Sequence, residues 1–182
     1  SLLYLQHRQK WQAESPPQQR MAPRPPDLTY AEQSSVDGAN LLLTFSVGIL
    51  MLGRHMCIPC TLENPQSSRA FLAPGMRLLL AKDDCCNIVT HFCMYGEPWR
   101  KATRFIGFNI NLAALEDFQC LGAKRGICKR TGLGHMHLLG HTGSAWVTMS
   151  AQAYPRKLCT VLARCFYNAT AFRLATSLTH KA

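Results

Sequence analysis

Apolar residues recur at helical spacing along GANLLLTFSVGILMLGR, residues 38–54, with Leu41, Leu42, Phe45, Ile49 and Leu52 as the repeating set. The pattern predicts a buried helix with Asp37 as its N-cap and Gly53 as its stop. A near-continuous apolar run follows and predicts a strand over 58–63, of the kind that is covered on both faces. Pro74 is placed to open a short helix over GMRLLLAK. NIVTHFCM (87–94) and TRFIGFN (103–109) predict two more strands. Residues 110–150 are rich in Gly and His, hold no clean period, and read as a loop-rich insertion. A C-terminal helix is predicted over 154–175, with Pro155 in its first turn and Leu158, Leu162, Cys165 and Phe166 on its apolar face.

This order predicts an α/β domain over 39–175, built as a partial Rossmann-like sheet with a loop-rich basic insertion and a C-terminal helix. Strand 58–63 is expected to be central and parallel, with helix 39–53 on one face. Residues 1–38 contain AESPPQQRMAPRPPD and read as a poorly ordered Pro/Gln-rich lead-in, and 176–182 as a tail.

Composition sharpens the picture at three points. The longest uncharged apolar run, Ala39 to Gly53, is shorter than a comfortable membrane span and is closed by Arg54 and His55, so no membrane partner is expected. Nine cysteines, an odd number without framework spacing, point to reduced thiols in an intracellular protein of nucleus or cytoplasm. The formal charge of +10 is confined to one part of the chain. Residues 1–97 balance eight Lys/Arg against eight Asp/Glu, whereas 98–182 hold twelve against two. Two readings fit: a polyanion partner, DNA before RNA, or a basic face that serves solubility.

Three motifs carry chemistry. Glu63-Asn64-Pro65 ends a strand, where a carboxylate can meet a ligand while its backbone stays fixed, or where the three residues simply turn the chain. In YGEPWRKATRFIGF (95–108), Arg100, Lys101 and Arg104 lead into a strand and suit phosphate contacts; the alternative is a solvated hairpin. The third is CLGAKRGICKRTGLGHMHLLGH (120–141), where Cys120, Cys128, His135, His137 and His141 lie among Lys124, Arg125, Lys129 and Arg130. Thiolate and imidazole in a segment with little core suit tetrahedral zinc, and Cys120, Cys128, His135 and His137 are the candidate ligands; buried Cys and solvated His are the alternative.

The first two motifs together resemble cytosine-5 DNA methyltransferases, in which a strand ends in Glu-Asn-Val and a Tyr-Gly-Val-Pro-Gln-x-Arg-x-Arg stretch enters a later strand. The likeness is greater to methyltransferase-like domains carried by mobile elements such as retrotransposons, over roughly residues 39–165. The resemblance implies that Glu63 faces a flipped cytosine with Asn64 anchoring the loop, and that the basic insertion binds nucleic acid. The family's Gly-rich S-adenosylmethionine loop and Pro-Cys nucleophile loop have no counterpart ahead of Glu63. Pro59-Cys60 lies inside the strand itself, so Cys60 reads as a packed residue. The chain is thus expected to be the second half of such a domain, inactive alone.

Overall fold

The computed structural model describes residues 29–121, 126–138, 140–142 and 145–179. In chain order it contains helix α1 (Tyr30–His55), strand β1 (Cys60–Pro65), a 3-10 turn (Arg69–Leu72) and helix α2 (Pro74–Leu80). Strand β2 (Cys86–His91), a 3-10 turn (Phe92–Tyr95), strand β3 (Ala102–Phe108) and a 3-10 segment (Ala113–Phe118) follow. A short ribbon, β4 (His141–Thr142) and β5 (Ala145–Trp146), precedes the one-turn helix α3 (Val147–Ser150) and the long helix α4 (Arg156–Thr179).

The chain is therefore mixed α/β, with a three-stranded sheet of order β1-β3-β2. Both β1 and β2 run antiparallel to β3, so the parallel, central strand expected at 58–63 is not what forms. β3 takes the centre because its residues are buried on both faces. Ile106 and Phe108 enter a layer made by α1 and α2, with Met76, Leu79 and Leu50. Phe105 enters the opposite layer, with Ile88, Phe92, Leu112, Leu115 and Leu158 of α4. Each of these large side chains contributes about 1.5–3 kcal/mol by leaving water. β1 is an edge strand because Pro59 precedes it and Pro65 ends it, and neither can donate to a ladder.

The N-terminal helix departs from expectation in three ways. It starts at Tyr30, because Thr29 and Glu32 form a reciprocal capping box; Asp37 lies inside the helix, and part of the expected lead-in is helical. Residues 1–28 lie outside the described set. The helix is also not buried: Leu41, Leu42, Phe45, Ile49 and Leu52 all face outward, with Leu41 73% exposed. The chain holds two apolar seams at this spacing, and the inner one is Leu43, Val47 and Leu50. Gly53 decides between them, since a Cβ there would meet Cys60 Sγ at 2.7 Å. Only this face brings α1 against β1. By length and composition alone, the 26-residue α1 is able to cross a membrane, although its inner side packs on α2 and the sheet.

The C-terminus of α1 is closed by a distant residue. Asn109 adopts a left-handed φ of 56° just after β3. Its Nδ2 donates to the carbonyls of Gly53 at 3.0 Å and Ile58 at 3.3 Å. Gly53 O also accepts the Ile58 N–H at 2.7 Å, so the amide adds a second bond where the helix ends. Asn109→Ala is expected to lower stability by about 1–2 kcal/mol, through lost hydrogen bonds and a non-Gly left-handed residue. Asn109→Gly should recover only the backbone part, and urea unfolding of the three proteins separates the two contributions.

Candidate metal centre

Where β2 ends, the Phe92–Tyr95 turn buries Cys93 beneath the loop-rich segment. The Ala113–Phe118 segment then delivers Cys120 to the same place, and a tight turn from Cys128 to Gly132 adds a third thiol. That turn closes through Gly132 N–H to Cys128 O at 2.8 Å and requires the φ of +69° at Gly132. The bridge between Ile127 and Gly134 returns the chain and sets His135 beside the thiols.

Four donor atoms result, from Cys93, Cys120, Cys128 and His135, all within 4.8 Å of one another. Cys120 Sγ lies 3.6 Å from His135 Nε2. Tetrahedral zinc with bonds of 2.3 Å to sulfur places its sulfurs about 3.8 Å apart, so a small contraction closes the set. Three thiols and one imidazole form a soft donor set that suits zinc. With four protein ligands and three of them buried, the set has the closed form of a structural site.

The surroundings prepare each ligand. His135 Nδ1 lies 2.6 Å from Gly126 O, which fixes the tautomer with hydrogen on Nδ1 and leaves Nε2 for a metal. Burial pushes the Cys128 thiol up, but the N–H groups of Thr131 and Arg130 and the Thr131 hydroxyl outweigh it and bring it down to about 6. Lys129 N–H points at Cys120 Sγ, at 3.3 Å. Cys93 goes the other way, raised to about 12 by burial and by the thiols of Cys120 and Cys128. A metal cation removes that penalty by holding all three as thiolates. His91 accepts the Cys120 N–H through Nδ1, and burial, Arg100 and His135 push it down to about 4, so it stays a neutral acceptor.

Sequence reading found three of the four ligands and missed Cys93. His137 is exposed and outside the quartet, because Cys93 supplies the fourth donor from the sheet end. The signal for Cys93 was the Tyr95-Gly96 turn directly after it, which halts β2 and turns the chain back; sequence spacing gave no such hint, with Cys93 far upstream of the cluster.

The basic candidates divide. Arg100 donates to Cys120 O at 3.1 Å and Arg130 to Cys93 O at 2.6 Å, so both brace ligand backbones. Lys101 donates to Ala151 O and stands 4.6 Å over the Phe92 ring. Arg104 stacks over Phe71, on the far face of the sheet. Lys129 is exposed on the ligand turn. Lys124, Arg125 and the side chain of His141 lie outside the described residues.

Glu63 sits near the end of β1 as expected, with Asn64 beside it opposite Arg104 in the ladder. Its Oε2 accepts a 2.6 Å hydrogen bond from the Tyr154 hydroxyl, and burial together with Glu63 pushes that hydroxyl's pKa up, so it remains a donor. Glu63 is thereby tied to the segment leading into α4, and its Oε1 is buried without a partner among the described residues. All nine cysteines are free thiols. No family model, curated protein or solved structure matches this chain.

One equivalent of zinc should bind per chain. Cys93→Ser should weaken binding by more than about 100-fold, whereas His137→Ala should leave it unchanged. Cobalt substitution provides the check, with thiolate charge-transfer bands and tetrahedral visible bands lost in the first variant and kept in the second.

Proposed function

We propose that this chain is a zinc-stabilised nucleic-acid-binding module, with DNA as the preferred partner. The observation that carries the reading is the quartet of Cys93, Cys120, Cys128 and His135. A metal there locks a segment that has little core of its own, and that segment holds a cluster of cations. Lys129 and Arg130 are exposed on the turn between two ligands, and Lys124 and Arg125 precede it in sequence. Further support comes from the charge distribution, since the entire excess of positive charge follows residue 97.

A second reading is a partial cytosine-5 DNA methyltransferase-like domain, with the finer fold of half a Rossmann-like sheet. What favours it is Glu63 at the end of β1 together with the outer edge of β1, which pairs with no strand among the described residues. Against an active enzyme stands the Tyr154 hydroxyl on Glu63, and α1 with a short turn precedes β1 where a glycine-rich S-adenosylmethionine loop would be needed. With labelled S-adenosylmethionine and duplex DNA the chain alone should give no methyl transfer above background.

The binding reading is tested with the zinc-loaded protein and a labelled duplex across a salt series. The slope of log affinity against log salt should be about −0.9 per neutralised phosphate. Replacing Lys124, Arg125 and Lys129 with Ser should flatten it by up to about three such contacts. Replacing Arg69, Arg77 and Lys82, on the far side of the chain, is the matched control. Equal losses in both would remove the case for a located site.

A further inference from the structure

Between the Ala113–Phe118 segment and α4 runs an open groove of about 1440 Å³ that none of the preceding chemistry uses. Its two walls differ in kind. The α4 wall presents Arg156, Lys157, Thr160, Arg164, Asn168 and Phe172, which recur at three- and four-residue spacing and so lie on one side of the helix. The facing wall carries Glu97, Asn109, Asn111 and Asp117, a set of amides and carboxylates. The floor between them is apolar, from Ile110, Val161 and Phe118, whose ring is stacked on Tyr95 at 4.4 Å.

The α4 wall is positive by design of the sequence and against the interest of the helix. The first turn of α4 holds Arg156 and Lys157 and no acid. A helix N-terminus already carries about half a positive charge and is stabilised by anions, so two cations there repel it. Arg156 and Arg164 are exposed, and neither makes an ion pair among the described residues. Lys157 stands 4.9 Å over the Phe118 ring, which holds its ammonium at the groove rather than in bulk water. From Arg156 to Arg173 the wall extends about 25 Å at the helical rise, longer than a small anion needs. Phe172, 70% exposed, presents a ring at the far end.

We infer that this groove binds single-stranded nucleic acid, an inference that rests on the nucleic-acid reading above and assigns it a second surface. The backbone phosphates lie along the α4 wall on Arg156, Lys157 and Arg164. The bases turn inward across the apolar floor toward the exposed Phe172 ring, and Asn111, Glu97 and Asp117 of the opposite wall meet their polar edges. A plain polyanion would gain nothing from that second wall, and Glu97 and Asp117 would repel it. A duplex keeps its base faces stacked and cannot use the floor.

The test uses the zinc-loaded full chain and fluorescence anisotropy with a labelled single-stranded 20-mer, its duplex, and heparin as a plain polyanion. Three triple Ser variants are compared: Arg156, Lys157 and Arg164 in the groove; Lys124, Arg125 and Lys129 in the metal loop; Arg69, Arg77 and Lys82 as control. Circular dichroism and zinc content establish that each is folded. The groove variant should flatten the single-strand salt slope by about 2, from three contacts at about −0.7 each, and leave the duplex slope unchanged. Phe172→Ala should weaken single-strand binding about tenfold with its salt slope intact. If groove and control variants lose affinity equally, or heparin competes as well against the groove variant as against the parent, the groove assignment is overturned while the metal-loop reading stands. If no nucleic acid binds the parent protein at all, both fall together.

Discussion

The constraint on which the rest depends is the burial of β3 on both faces. A strand that must hide Ile106 and Phe108 on one side and Phe105 on the other can only be central, and it needs a helical layer above and below. α1 and α2 supply one layer and α4 the other. The consequences reach every site described. The end of β3 places Asn109 under the last turn of α1, the end of β2 places Cys93, and the flank of β1 places Glu63 against Tyr154. Removing a side chain such as Phe105 would cost about 3–5 kcal/mol and loosen the layer that α4 covers.

The quartet of Cys and His extends that order into a region that cannot order itself. Among the described residues of 120–138, Cys120 and Cys128 are the buried apolar side chains, and they cluster with Cys93. Arg100 and Arg130 donate to the Cys120 and Cys93 carbonyls, and the Lys129 N–H points at Cys120 Sγ. Arg100 and Arg130, which looked like phosphate ligands, are in this sense part of the metal site's frame. Their part is geometric: each guanidinium holds the carbonyl of a candidate ligand in place.

Much of this was legible in the sequence, and the failures have physical causes. The longer elements followed from periodicity, including α4 with Leu158 and Cys165 inward, whereas the short ones within 110–150 did not. The register of α1 did not, because two apolar seams share one helix, and close approaches to Cys60 at Gly53 and to Gly75 at Val47 select the inner one. The rank of β1 was misjudged by weighing apolar continuity above Pro59 and Pro65, although a proline cannot serve a central ladder. Three metal ligands were visible as a local cluster. Cys93 was not, because tertiary folding, not spacing, brings it there.

The order in which these parts leave the ribosome follows from their places in the chain. The strands of the β1-β3-β2 sheet precede Cys120, so they and the end turn with Cys93 are synthesised before the other candidate ligands, and α4 comes after them. A metal bound at the quartet would close onto strands already synthesised but not yet covered by α4, unlike the metal that nucleates a finger-sized domain. Loss of metal should therefore free one flank of the molecule as a tethered loop and leave the three-stranded layer standing.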